Sequence, residues 1–408
     1  MNAIATKPVV PEHVPPELVR EFSIYKSPGM ERCPFGDPQK ASARALELPR
    51  VFYSPSNAYD GGGSWVITRA DDQRRILGDT ENFSSRRGHF TGTMGDEFVL
   101  VPLEADPPSH THYRTLLNPL LSPKRVQAME AGARERAVRL IEACKAKGSC
   151  DVMNDFAYPF AVGVFLQFLG VSEDRRPEFL GWAEELLHGT NDERQAAMKK
   201  VTNFIGTLIE LRKREPTDDF MSFLLQAEVD GRKLTDNEML GMGTLIFVGG
   251  LDTVAAAVGF DLYHLARFPE DQARLRADRD LIKPAVEELL RAYSTITPLR
   301  RAAKDVEFDG ILMKKGDVIS CPSMIANRDP EEFPNPDTID LARDNNRHTA
   351  FAYGPHRCVG SHLARRELII GLEEFLDRIP PFRVKAGTTP ITFGGYVFGV
   401  ENLILDWD

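Results

Sequence analysis

Apolar residues recur along this chain mainly at three- and four-residue spacing, as in helices that bury one face. In RVQAMEAGARERAVRLIEACKAKG, Val126, Met129, Ala133, Ala137, Leu140, Ile141 and Cys144 hold that register, and Gly148 marks the stop. The stretches RRPEFLGWAEELLHG, RQAAMKKVTNFIGTLIELRKRE and DFMSFLLQAEVDG read as helical in the same way. Strand signals are few and short. GSWVITR is one, and DVEFDGILMKKGDVISCP is another, with Asp309-Gly310 placed for a tight hairpin. The closing runs of ITFGGYVFGVENLILDW predict a further hairpin or loop pair. The pattern predicts a mainly α protein of the α+β class, with small β-sheets segregated from the helices.

Residues 235–268 carry the longest pattern. Thr235 and Glu238 have the spacing of a capping box, the chain is apolar from Met239 onward, and the run stops before Pro269. At ~1.5 Å per residue such a helix is roughly 45–50 Å long. That length suits a membrane span, but Asp252 at its centre would cost about 2.5–3.5 kcal/mol on insertion. No second stretch of this kind stands out, so a buried central helix is expected. Inside it lies VGGLDTV, where Gly249 and Gly250 are adjacent and each costs about 1 kcal/mol relative to alanine. Asp252 and Thr253 then bring polar groups into apolar surroundings, where they are costly unless paired. The plain reading is a kink, with Thr253 bonding back to the preceding turn. The functional reading is that the glycines make room for a ligand and Asp252–Thr253 handle protons beside it. Paired glycines next to an Asp-Thr pair favour the second.

The chain has 408 residues, 42% apolar and 27% charged, an ordinary globular composition. With no low-complexity linker and no repeat, one domain over 1–408 is the simplest organisation, its first residues, 1–15, forming a loosely ordered arm. Pro8, Pro11, Pro15 and Pro16 break that arm, so neither a secretory signal nor a membrane anchor is expected there. A net charge of −10 argues against nucleic acid as a partner. Cysteines 33, 144, 150, 321 and 358 are odd in number and scattered, which suits a reducing, cytoplasmic setting better than a disulfide framework.

One cysteine stands apart. In FAYGPHRCVGSHLARRE, Cys358 lies between a Gly-Pro turn and a helix start, with His356, Arg357, Arg365 and Arg366 around it. A helix N-terminus and a neighbouring arginine should lower its pKa, and Gly354 and Gly360 allow turns and the close approach of a flat ligand. A structural cysteine leaves this setting unexplained. Zinc would need a second ligand cluster, and a nucleophile would need a base. A thiolate ligating haem iron remains.

At these residues the sequence resembles the cytochrome P-450 family. Phe351, Gly354, Cys358 and Gly360 stand at the positions of its F-x-x-G-x-x-x-C-x-G loop, Glu288 and Arg291 at its E-x-x-R, and GGLDT at its oxygen-activation segment. VGGLDTV, DPPSHTHYR and SHLARRE are similar to soluble bacterial members of the camphor-hydroxylase type. The resemblance implies a cytochrome P-450 fold with a long central helix over the haem. It implies haem b with Cys358 as axial ligand and O2 as co-substrate. His110, Arg114, Arg300 and His356 would hold the propionates, and Gly249, Phe351 and Gly360 would also border the haem. Thr253 would stand beside bound dioxygen with Asp252 as its proton source. Glu288, Arg291 and Arg343 would form a structural lock.

By rough alignment the substrate walls are Phe98, Leu245, Val248, Ile296, Tyr396 and Val397. Phe98 stands where the camphor branch has a hydrogen-bonding tyrosine, so a different, compact hydrophobic substrate of terpenoid or norisoprenoid size is expected. No flavin motif or Fe–S cysteine set is seen. Electrons would then come from a [2Fe–2S] ferredoxin and an NAD(P)H-dependent reductase, with Arg114, Arg357, Arg365 and Arg366 as a docking patch on a monomer. A peroxide-dependent haem-thiolate enzyme and a non-enzymatic haem sensor are the rival functions. The Asp-Thr pair counts against the first, and the lack of an output module against the second.

Overall fold

A computed structural model of the chain describes residues 10–24, 33–34, 37–57, 62–86, 99–188, 190–395 and 397–408. Nine helices frame the site: α1 (Ser109–Leu120), α2 (Pro123–Lys145), α3 (Tyr158–Leu169), α4 (Arg176–His188), α5 (Asn191–Arg214), α6 (Phe220–Gln226), α7 (Asp236–Arg267), α8 (Ile282–Ala292) and α9 (Ser361–Arg378). The α7 helix is the long central element, packed on α3, α5 and α9. Its N-terminus is closed as its sequence predicts. The Glu238 backbone N–H donates to Thr235 Oγ1 at 3.2 Å, and the Thr235 N–H donates to the Glu238 carboxylate at 2.7 Å. Arg232 and the Tyr113 hydroxyl also donate to Glu238, fastening the start of α7 to α1.

The sheets lie beside the helices, as the pattern predicts. In the five-stranded sheet the order is Val51–Ser54, Ser64–Ile67, Val318–Ser320, Leu299–Ala302, Phe83–Ser84. Only the pairing of Ser64–Ile67 with Val318–Ser320 is parallel. Val306–Phe308 and Ile311–Met313 make the expected hairpin, with Asp309 and Gly310 at φ 50° and 81°.

Several expectations change. The helix in DFMSFLLQAEVDG ends at Gln226, and Glu228–Val229 pairs with Arg232–Lys233 instead. Asp230 and Gly231, at φ 51° and 74°, supply the turn that helical spacing concealed. In the last stretch Ile391–Phe393 does pair with Gly399–Glu401, but Ile404–Trp407 leaves them to bridge Phe382–Val384 and Ser149–Asp151. A second helical stretch, Val152–Leu169, is also long and apolar enough to cross a membrane. It is 72% buried and the window in α7 is 67% buried, as suits core helices. Of the N-terminal arm, residues 1–9 lie outside the described residues. Further on, Val14 is buried and His13 meets Asp317 at 2.7 Å.

Glu288 and Arg291, three apart on α8, form a wholly buried ion pair rather than a solvated one. Arg343 joins Glu288 at 3.0 Å. Removing one partner of such a pair leaves the other charge uncompensated. Glu288→Ala should therefore lose on the order of 3–5 kcal/mol, measured as a fall in the urea midpoint. An unchanged midpoint would mean that the network carries no stability.

Candidate active site

Cys358 follows a single helical turn, Gly354–His356, and precedes α9. Its N–H donates to the Phe351 carbonyl at 2.9 Å, which fixes the loop. Gly354 has φ 72°, and a Cβ there would lie 2.6 Å from the Leu77 carbonyl oxygen, so no other residue fits. Gly360 is different: its φ is −79°, and a Cβ would meet the Cys358 sulfur at an ordinary 3.7 Å. The backbone freedom expected at both glycines is thus needed only at Gly354. The Gly360 amide instead hydrogen-bonds the sulfur.

The thiol is exposed to a cavity of about 360 Å³. Its surroundings reverse the expected pKa. Burial away from bulk water pushes Cys358 up, and the Gly360 N–H with Arg114, Arg357 and Arg365 only partly opposes this. Local sequence shows the arginines and the helix start but not the desolvation that outweighs them.

Basic groups gather on the same cavity. His110 and Arg114 lie on α1, Arg300 on the strand Leu299–Ala302, and His356 on the turn before Cys358. The His110 and His356 rings lie 4.0 Å apart. Both His110 ring nitrogens, and Arg300 Nε and Nη2, are buried without a hydrogen-bond partner among the described residues. Arg300 keeps one bond, from Nη1 to the Leu299 carbonyl at 2.8 Å. Burial, reinforced by Arg114 and Arg300, holds His110 down at about 4, so the ring is neutral at pH 7. Orphaned buried donors of this kind are rare; here they face a space where an anionic ligand would satisfy them. Arg114 bonds the Arg357 carbonyl at 2.7 Å.

The α7 wall carries the other chemistry. A Cβ on Gly249 would meet nothing within 4 Å, whereas one on Gly250 would press the Phe165 ring at 3.2 Å. Only the first glycine is spent on open space. Thr253 lines the cavity while its hydroxyl donates to the Gly249 carbonyl at 3.0 Å, so the kink-type bond and the cavity position coexist. Asp252 is buried and turned from the cavity lining towards the Tyr158 hydroxyl on α3, 3.5 Å away.

Leu245, Val248, Ile296 and Val397 all line the cavity, and Ile296 and Val397 are joined by a β-bridge. Phe98 and Tyr396 lie outside the described residues. Phe351 borders the cavity under the Arg365 guanidinium, 4.4 Å from its ring centroid. Arg365 is held in a bidentate pair with Glu287, and Arg366 lies 3.5 Å from Glu130, so both carry local partners.

The family model described as Cytochrome P450 matches residues 177–392. The chain belongs to the cytochrome P450 family. Its similarity to Probable cytochrome P450 127A1 of Sinorhizobium fredii is 54% identity over 99% of this chain and 98% of that protein. It is also 30% identical to 6-deoxyerythronolide B hydroxylase of Saccharopolyspora erythraea, over 78% of this chain and 84% of that one. Among solved structures, cytochrome P450 CYP101C1 superposes with a TM-score of 0.88 at 35% identity, covering 98% of this chain and 100% of its own. CYP101J2 gives 0.87 at 31% identity, with the same coverages. This P450 is therefore a monooxygenase of the haem-thiolate class. Its cavity fits the group on its own terms: a single thiol, an apolar interior, and unmet donors at one rim suited to two carboxylates.

Motif reading misses part of the lining. Ala161, Val164 and Phe165 of α3 face the cavity, as do the carboxyl residues Asp261 of α7 and Glu367 of α9. No local pattern marks them, because an apolar helix does not announce which face meets a void. Burial pushes Glu367 up to about 8 from the ordinary 4.5, with Arg136 opposing. The folded protein then binds the extra proton between those values, so its stability falls as pH rises through that window. Glu367→Gln removes this dependence. The variant should gain on the order of 1–3 kcal/mol over the parent between pH 5 and pH 8, read from urea midpoints. Parallel pH profiles would show that Glu367 titrates as an ordinary carboxyl.

Proposed function

We propose that this P450 uses haem b and O2 to hydroxylate an unactivated C–H bond of a compact hydrophobic substrate, of terpenoid or norisoprenoid size. The observation that carries the reading is a single cavity. It brings the Cys358 sulfur, the Thr253 hydroxyl and an apolar wall together beside the unmet donors of His110 and Arg300. When bound, haem supplies the activation and reductive cleavage of O2. Cys358 would hold the iron through its sulfur, and the Gly360 N–H, which hydrogen-bonds that sulfur, would take up part of the thiolate charge. Arg114 and Arg300, with His110 and His356, hold the propionates; the arginines do so as forked donors. Phe351, which borders the cavity, would help to hold the group.

On the other wall Gly249 leaves the space, and Thr253 turns its hydroxyl from the Gly249 carbonyl into it. Asp252 moves protons between the Tyr158 side of α7 and that hydroxyl, as general acid in a dry site. Leu245, Val248, Ile296 and Val397, with Phe98 and Tyr396, orient the substrate and exclude water. Glu288, Arg291 and Arg343 hold the scaffold. Electrons come from a [2Fe–2S] ferredoxin and its NAD(P)H-dependent reductase. Of the four proposed docking cations, Arg357 is the best placed, since Arg114 is assigned to the propionates, Arg365 is occupied by Glu287 and Arg366 lies beside Glu130.

The dithionite-reduced, carbon monoxide-bound protein should show a strongly red-shifted Soret band, lost in Cys358→His. A terpenoid that fits should shift the resting spectrum from low to high spin. An unshifted, histidine-like band in the parent would remove the axial thiolate. Thr253→Ala should keep the Soret band but divert NADH into peroxide, and Asp252→Asn should slow product formation by roughly 10²-fold. Unchanged coupling in Thr253→Ala would end its proposed role. Phe98→Tyr should raise the preference for ketone-bearing ligands, scored by spin-shift titration.

A further inference from the structure

Spacing alone leaves the cysteines scattered, yet the fold pairs two of them. Cys144 lies in the last turn of α2, and Cys150 lies on the strand Ser149–Asp151. Their sulfurs are 3.0 Å apart, and each side chain is 1% exposed within the main hydrophobic core. One buried thiol is ordinary. Two thiols facing each other lie within a short displacement of the ~2.05 Å of an S–S bond. Cys150 donates its S–H to the Cys144 sulfur. That bond holds Cys144 below the usual thiol range and Cys150 above it, with Asp151, Asp155 and Lys147 as the charged neighbours.

We propose that Cys144 and Cys150 form an oxidisable dithiol, a site where a peroxide is reduced as the two sulfurs join. The Cys144 thiol gives up its proton, its sulfur attacks one peroxide oxygen, the O–O bond breaks, and the other oxygen leaves with that proton as water, giving a sulfenic acid on Cys144. The Cys150 sulfur then attacks that sulfur, the S–O bond breaks, and a second water leaves with the Cys150 proton. Two thiols and one hydrogen peroxide become one disulfide and two waters, and an added dithiol reverses the change.

The rival occupant is a metal ion, because an Asp155 oxygen lies within 4.8 Å of both sulfurs. That carboxylate is already committed: Lys147 Nζ donates to Oδ1 and the Asp151 N–H to Oδ2, each at 3.0 Å. A tetrahedral metal would also need a fourth ligand beyond these three groups, whereas a disulfide needs none. The cross-link would tie the C-terminal end of α2 to the sheet of Ser149–Asp151, Ile404–Trp407 and Phe382–Val384. Helix α2 packs along α9, with Arg134 paired to Glu373 and Glu374, so the link stiffens the support of the helix that follows Cys358.

The test starts from reduced holoenzyme, which has five thiols when denatured. Treatment with hydrogen peroxide, or with diamide as an oxidant that spares haem, should remove two of them. Trypsin cuts after Lys145 and Lys147, so the peptide ending at Lys145 and the one beginning at Gly148 should appear joined, and dithiothreitol should separate them. The oxidised parent should also melt a few degrees higher. C144S and C150S, with unchanged visible spectra as proof of folding, should give neither the joined peptides nor the higher melting point. The proposal fails if five thiols survive both oxidants, if another pair links, or if either sulfur goes to sulfinic acid unlinked. One equivalent of zinc in the purified protein, lost in C144S, would equally overturn it.

Discussion

A carboxylate with no exposure is tolerable only where its lone pairs are all taken, and Glu288 meets that condition from five directions. Arg291 donates through Nε and Nη2, both at 2.8 Å. Arg343 Nε, Asn346 Nδ2 and the Asp340 N–H follow at 3.0, 3.1 and 2.9 Å. Arg291 in turn reaches the carbonyls of Asn327, Pro336 and Thr338. The Asn327 side chain then accepts from the Thr349 N–H at 2.8 Å, two residues before Phe351. From 330 to 350 the backbone is turns rather than helix or strand. The cysteine loop therefore hangs from α8 by charge, and the position of the sulfur depends on that suspension.

The cavity below it is costly to build. Burial raises the Cys358 thiol pKa and strips Arg300 of most of its partners. Desolvation of both is a cost that the chain does not offset with its own groups. A ligand bringing two carboxylates and a thiolate-binding metal offsets both at once. Ligand binding and folding are then coupled, because anything that binds only the folded state adds to its stability.

How far the sequence shows this depends on how local each determinant is. The Thr235–Glu238 cap, the Asp309-Gly310 turn, Glu288 with Arg291, and the residues of the cysteine loop act over ten positions or fewer, and all were legible. The turn at Asp230-Gly231 was equally local but lay inside apolar residues at helical spacing, so the wrong period won. Most of the rest needs distant parts of the chain. Glu287 claims Arg365 from 78 positions away, which no reading of the loop reveals. The rise in the Cys358 pKa comes from the volume around it. The meeting of Cys144 with Cys150 is local, six positions apart, but it depends on the turn at Gly148, which residue spacing does not show.

The α7 helix must be both a core element and a cavity wall, and its glycines divide that work. A Cβ on Gly243 would strike Ile205 at 2.6 Å and one on Gly259 would strike Met153 at 2.7 Å, whereas Gly249 faces nothing. The bare position sits one turn before Thr253, whose hydroxyl rests on the Gly249 carbonyl at 3.0 Å. Releasing that bond costs only about 1 kcal/mol, since the backbone hydrogen bonds of the helix remain. With no side chain at 249 in the way, the hydroxyl can turn into the cavity without moving the helix. The cost of an interior glycine, about 1 kcal/mol, is spread over a helix that tertiary packing holds. Rigidity of the backbone therefore comes from packing along the rest of α7, and freedom of a single hydroxyl from the absent side chain at 249.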